Sequence, residues 1–273
     1  MVVTAFSPGV YVRLDAAMRR SGAVTARNVT ALRSAYWLLM LSGFFEPLLY
    51  LLSIGYGVGH LVNRGISIGG GETVSYRTFV APAMLASSAM TGALAESTFN
   101  FFGKMKYQKT FDAVLATPVR PMEIAFGELW WAMFRGALYS GAFLVIMVIM
   151  QLTSAGWALL AFPATLLVGF AFGSVGMMLS TYMRSWQDFD VVATVQIALF
   201  LFSGTFVPLS VYHQGWLRAV IQVSPLYQSV ALLRGITLGH LGFGMLVHVA
   251  YLAVLVAVGL VVASRRMSKQ LLK

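Results

Sequence analysis

The sequence contains no cysteine, which excludes disulfides, thiolate metal sites and a cysteine nucleophile. Charge is scarce. Only 10% of the 273 residues are Asp, Glu, Lys or Arg, against roughly a quarter in an ordinary soluble domain. Acid is scarcest, with nine Asp and Glu against nineteen Lys and Arg. The one close acidic pair, Asp188 and Asp190 beside Arg184, lies on a short polar stretch and gives carboxylate chemistry little to build on. The four histidines, His60, His213, His240 and His248, lack zinc-ligand spacing, so no metal site is assigned. There is no G-x-x-x-x-G-K-[ST] phosphate loop. No internal repeat supports a secondary transporter built from inverted halves. Arg13 interrupts the N-terminus before an apolar core of signal-peptide length can form.

What is abundant is apolar surface. Hydrophobic residues make up 59% of the chain and the mean hydropathy is +0.79. Apolar runs suggest six membrane spans: Ala35–Val58, Phe79–Phe102, Ile124–Leu152, Trp157–Tyr182, Val191–Phe206 and Met245–Ser264. A bilayer core of roughly 30 Å takes about 20 apolar residues as a helix, and five of the six reach that length. The fifth stops at Pro208 and falls short. The net charge of +10 does not point to nucleic acid, because the basic residues stand at the ends of the apolar runs. With an N-terminus in the cytoplasm and six crossings, fourteen Lys and Arg fall inside and four (Arg64, Arg77, Arg218, Arg234) outside. That bias places both termini in the cytoplasm.

Two amphipathic stretches flank this apolar body. Val10, Tyr11, Leu14, Ala17 and Met18 form one face of a helix over Val10–Arg20, which reads as lying flat at the membrane surface and ending at Ser21-Gly22. Between the second and third spans, Tyr107, Phe111, Val114 and Leu115 recur at helical spacing, with Lys106, Lys109 and Asp112 off that face. Thr117-Pro118 ends this helix, because the residue before a proline is pushed out of α geometry. By spacing alone it is either a cytoplasmic lever on which a soluble partner pushes or a helix resting among headgroups. Val207–Leu241 is too long for a turn, and its apolar clusters are too short to cross twice. Re-entrant or interfacial helices packed against the bundle satisfy its backbone.

Charges inside spans are costly and each requires a reason. Glu46 is the most central; it is either a polar contact on a substrate path, a partner for Arg135, or closer to the headgroups than its span suggests. Glu96 and Glu128, near the ends of their spans, are expected to be solvated. The aromatics Phe44, Phe45, Tyr50, Trp130, Trp131, Phe200 and Phe202 fit interfacial belts. Of these, Tyr50, Phe200 and Phe202 are, with Glu46, candidates to line a path for sugars or flat apolar compounds.

Four stretches in this order resemble a known family: FEPLLYLLSIGYGVG (45–59), FDAVLATPVRPMEIAFG (111–127), SGTFVPLS (203–210) and SPLYQSVALLRG (224–235). Together they resemble the membrane (permease) subunit of ABC-2 type exporters, nearest to the nodulation-factor and daunorubicin exporter permeases. The sequence departs from many relatives at Tyr212-His213-Gln214, where they carry a proline before the Trp-Leu pair.

The resemblance implies an all-α integral membrane fold of six transmembrane helices forming one domain over 1–273. Residues 1–34 would hold the interface helix (Val10, Tyr11, Leu14, Met18) and run-in, 35–264 the spans, and 265–273 a basic cytoplasmic tail. It implies a coupling helix between spans 2 and 3, using Tyr107, Lys109, Phe111, Asp112, Val114 and Leu115, and re-entrant external helices between spans 5 and 6. It further implies a chain that is not itself an enzyme and binds no cofactor. ATP and Mg2+ would belong to a partner ATPase subunit, beside a second permease copy or a related permease, in the lipid of a bacterial cytoplasmic membrane. The expected function is ATP-driven export of an amphipathic or hydrophobic substrate, such as a drug-like compound, glycolipid or lipo-oligosaccharide. The alternative from another class is a multi-span enzyme acting on lipids or glycans.

Overall fold

A computed structural model describes residues 72–271 continuously, together with 65–69 and the helical positions 18, 21–26, 45, 49, 51–53 and 57. The first expected span therefore lies largely outside the described residues. Of that span, Leu51 is fully buried in the main apolar core.

The described chain opens on a feature absent from the sequence expectation. A short antiparallel ribbon pairs β1 (Ile66–Gly69) with β2 (Glu72–Val74), Ile66 opposite Val74, with a bulge between Ser67 and Gly69. Ser75 then caps α1 (Tyr76–Ala95) by accepting the Thr78 N–H at 3.2 Å. The helix does not stop at Ala95. It continues through two widened turns, Glu96–Asn100 and Gly103–Tyr107, into one helix of 32 residues.

The rest of the fold is helical. It comprises α2 (Thr110–Leu115), α3 (Pro121–Ile149), α4 (Ala155–Ser180), α5 (Phe189–Leu201), α6 (Gly215–Val223), α7 (Pro225–Thr237) and α8 (Gly244–Leu271). Pro121 and Pro225 each stand at a first helical turn, where the missing N–H costs nothing. Among the described residues four helices are long and apolar enough to cross a membrane: Tyr76–Tyr107, Pro121–Ile149, Ala155–Ser180 and Gly244–Gln270. They match the expected spans 2, 3, 4 and 6 within a few residues.

Helix α4 runs through the middle, packed against α1, α3, α7 and α8. Small residues let its neighbours close in. At Gly259 of α8 a Cβ would stand 2.7 Å from the Ser174 carbonyl carbon, so the two backbones meet there. The larger apolar core joins α1, α3, α4, α7 and α8, and a second one surrounds Phe101, Phe102, Phe111 and Phe189.

The expected fifth span is only partly helical. Helix α5 has thirteen residues, about 20 Å at 1.5 Å per residue, and leaves helical geometry at Phe202. Gly204 follows with φ +69°, a left-handed conformation that suits glycine. The backbone here is held by a residue that the charge count assigns to the outer side. Arg234 of α7 is half-buried, donating from Nη2 to the Gly204 carbonyl at 2.9 Å and from Nε to the Phe79 carbonyl at 3.2 Å. Its guanidinium lies 3.8 Å from the centre of the Phe79 ring. Helices α6 and α7 fill the expected place between α5 and α8. Helix α7 buries Leu226, Val230, Leu233 and Ile236, while α6 buries only Ile221.

Candidate functional site

At the end of the bundle where α1 meets α3, the widened turns have a local cause. Ser97 Oγ donates to the Ala93 carbonyl at 2.6 Å and Thr98 Oγ1 to the Leu94 carbonyl at 2.5 Å. Both hydroxyls take carbonyls that a regular helix would give to backbone N–H groups, a substitution that bends helices. From α4, Ser180 Oγ donates to the Ser97 carbonyl at 2.9 Å and anchors the distorted turn.

This region presents two carboxylate–cation pairs across the α1–α3 seam. Glu96 accepts from Arg135 Nη1 at 2.5 Å and from Asn100 Nδ2 at 2.7 Å. Glu128 accepts from Lys104 Nζ at 2.6 Å. Glu96 is 7% and Glu128 3% exposed. The expectation that these carboxylates are solvated is therefore wrong. Packing of α1 on α3 removes them from water, and a buried carboxylate is retained only with a partner. The suggested Glu46–Arg135 pairing falls partly outside the described residues, and Arg135 is engaged with Glu96.

A helix stands where the coupling helix was expected, but it is shorter. Its continuous run from Tyr107 to Thr117 is broken at Lys109, whose backbone is left-handed (φ 48°, ψ 30°). Tyr107 therefore ends the long α1 helix, and α2 begins at Thr110. Tyr107 stacks on Trp186 with centroids 5.3 Å apart and stays 58% exposed. Phe111 is fully buried, 5.2 Å from Phe101, and Val114 and Leu115 pack at the edge of the same cluster. The apolar face of α2 is thus spent on its own subunit. Lys109, Asp112, Ala113 and Ala116 are the exposed ones.

Two further pieces complete this end. The turn between α4 and α5 contributes Trp186 and the start of α5 contributes Phe189, which join Phe99, Phe102 and Tyr107 in a five-ring cluster. Asp188 closes that turn, accepting the N–H groups of Arg184 at 2.7 Å and Ser185 at 3.2 Å. These bonds hold its carboxyl below the usual carboxylate value. Its oxygens are committed to its own turn, which removes the acidic pair as a catalytic starting point. The second piece is the N-terminal segment. Ser21–Ala26 is helical, so Ser21-Gly22 does not end the helix there. Thr25 Oγ1 donates to the Gly127 carbonyl at 3.0 Å, and Val24 lies so close that Gly127 has no room for a Cβ. This contact sets helix 21–26 one residue from Glu128.

The other predicted site residues are scattered. Met18 is helical and 67% exposed; Val10, Tyr11 and Leu14 lie outside the described residues, as do Glu46 and Tyr50. Phe200 is half-buried and edge-on to Phe206 at 5.2 Å, while Phe202 is exposed. Sequence reading missed the Trp186 cluster and both ion pairs. Aromatic residues stand at 99, 102 and 107 and at 186 and 189, but nothing in their spacing shows that the two segments meet.

Comparison with known proteins gives a consistent result. Residues 21–238 match the ABC-2 type transporter family. Nodulation protein J of Rhizobium leguminosarum bv. trifolii is 34% identical over 256 residues, covering 92% of this chain and 94% of that protein. Nodulation protein J of Rhizobium meliloti (strain 1021) is 32% identical, covering 83% of each. The inner membrane transport permease YadH of Escherichia coli (strain K12) is 27% identical over 203 residues, covering 72% of this chain and 75% of that one.

Proposed function

The chain belongs to the ABC-2 type transporter family, and from that premise we propose that it is the membrane subunit of an ATP-driven exporter, with α2 as the element that receives force from a separate ATPase. Two copies, or this chain and a related permease, form the path. The end of the bundle bearing α2 faces the cytoplasm of a bacterial cell, and both termini lie there. The substrate is amphipathic or hydrophobic, such as a drug-like compound, glycolipid or lipo-oligosaccharide.

The observation that supports this reading is the mounting of α2. Phe111 fixes the helix to the bundle core, and its polar side is turned outward. A push on α2 is passed to α1 through Phe101 and the Gly103–Tyr107 turn, and to α3 through the Lys104–Glu128 and Glu96–Arg135 pairs. Through Tyr107 and Trp186 it also reaches α5, whose own helix buries only Phe189. ATP binding would draw two such levers together and rock the spans.

Phe111→Asp would place a charge in the core and break the fold, so it is the wrong probe of docking. Asp112→Lys combined with Ala113→Arg alters only the exposed side. In the permease–ATPase complex in lipid, this double variant should keep wild-type thermal stability yet lose ATPase association at least tenfold. It should also lose substrate-stimulated ATP hydrolysis. Undiminished association would place the docking surface elsewhere. Failure of any ATPase to associate with the wild type would remove the exporter reading.

A further inference from the structure

A cluster of cations at the far end of α8 plays no part in the proposed coupling. Arg265, Arg266 and Lys269 occupy its last turns, and among the described residues none of them pairs with a carboxylate. Arg266 is the informative one. Its guanidinium lies 3.6 Å from the centre of the Tyr182 ring, and Nη2 reaches the Thr181 carbonyl only at 3.4 Å. Gln270 Nε2 donates to the same carbonyl at 2.7 Å, so that acceptor is already well served. The Nε–H of Arg266 is buried and has no acceptor among the described residues. A donor withdrawn from water and left unpaired is unfavourable, and an acceptor from outside the chain relieves it.

The helix leading to this cluster indicates what kind of acceptor. Val254, Val258 and Val261 are exposed on α8. At 100° per residue they form one row, and Arg265 falls on the same row one turn further on. Lys269 lies within about 60° of it and Arg266 to one side, over Tyr182. A bare apolar track one turn from a group of cations has the layout of an acyl chain and its headgroup. A guanidinium also matches a phosphate with its fork of donors.

We propose that the junction of α8 with the 181–182 turn is a binding site for the phosphate of an anionic phospholipid. Arg266 is the principal ligand, Arg265 and Lys269 supply the field, and the Val254–Val258–Val261 row carries an acyl chain. A turn of the Arg266 side chain about its terminal torsions brings Nε–H and one Nη–H to the phosphate, while the ring of Tyr182 remains beneath. This site does not depend on the ATPase reading, because it requires only that α8 lie in a bilayer.

The test uses the full chain in phosphatidylcholine nanodiscs containing photoactivatable phosphatidylglycerol or, separately, photoactivatable phosphatidylcholine at equal mole fraction. Crosslinks are mapped by mass spectrometry, with and without a bound ATPase. Phosphatidylglycerol should label 254–269 in clear excess, and removing Arg265 or Lys269 should each lower the excess about fivefold, as expected for roughly 1 kcal/mol per basic residue near a bilayer surface. Arg266→Gln should abolish it. If that variant misfolds, Arg265→Gln with Lys269→Gln, both on exposed positions, carries the test alone. Equal labelling by the two lipids, or labelling unaffected by these substitutions, overturns the proposal. So does full competition by soluble glycerol phosphate, which would make the ligand a free phosphate. Loss of the label when an ATPase docks would assign the cations to a protein interface instead.

Discussion

At one end of this bundle Glu96 and Glu128 each meet a cation across the seam between α1 and α3. At the other end a half-buried cation, Arg234, is met among the described residues by two carbonyls and the face of Phe79. The first arrangement joins two long helices by carboxylate–cation contacts. The second uses one charge to satisfy backbone that has left helical geometry after Phe202. The difference bears on what each end can do. A pair of opposite charges transmits displacement from one helix to the other, because separating them exposes both. A guanidinium bound to carbonyls pins an irregular segment in place and ties it to α1.

The largest effect is expected from breaking the first arrangement on one side only. Glu128→Gln or Lys104→Met removes one side of a charged contact across the seam, at an expected cost of about 3–5 kcal/mol. Removing both partners should cost markedly less than the sum of the two. Thermal unfolding of the two single variants and the double variant in lipid measures that coupling as a double-mutant cycle. Additive effects would mean that the 2.6 Å contact carries no energy. At the opposite end, Arg234→Lys keeps the charge but loses the fork that reaches both the Gly204 and Phe79 carbonyls. The expected loss is about 1–3 kcal/mol, the cost of leaving buried acceptors unsatisfied. Because the second site holds backbone, proteolytic nicking at 202–208 should rise with it, while the accessibility of α2 stays as in the wild type. Increased exposure of α2 would show that the two ends are not independent.

Much of the first arrangement was hidden in the sequence for a definable reason. Lys104 and Glu128 are 24 residues apart, and Glu96 and Arg135 are 39 apart. Their meeting depends on widened turns that Ser97 and Thr98 create by taking backbone carbonyls. Nothing in a serine's presence announces that choice. The long spans were legible because length and hydropathy suffice for them. The amphipathic character of α2 was legible too, but not its direction. A periodic apolar face says that something must be covered, and Phe111 shows that here the cover is the protein's own core. The left-handed Lys109 hid the true start of the helix, since lysine carries no turn signal. The fifth span failed as a full crossing at a place where the sequence offered only Gly204 and a distant Pro208.

The smallest expected effect separates buried from exposed carboxylates at the same end of the molecule. Asp188 accepts two backbone N–H groups like a helix cap, but it sits in water, so its loss uncovers no buried charge. Its pKa is lowered from 3.8 chiefly by the Arg184 and Ser185 N–H groups. A depressed folded pKa means that the stabilisation is fully present above the unfolded value. It is then lost as pH falls through the folded value, because protonation removes the acceptor the turn relies on. The melting temperature of wild type should therefore exceed that of Asp188→Asn slightly near pH 7, and the two should converge in acid, once the pH has fallen below the lowered folded value. A gap that persists in acid would mean that the asparagine disturbs the turn by something other than charge. A gap as large as that of Glu128→Gln would mean that the 184–188 turn, with Trp186 stacked on Tyr107, bears as much of the bundle's stability as the buried pairs do.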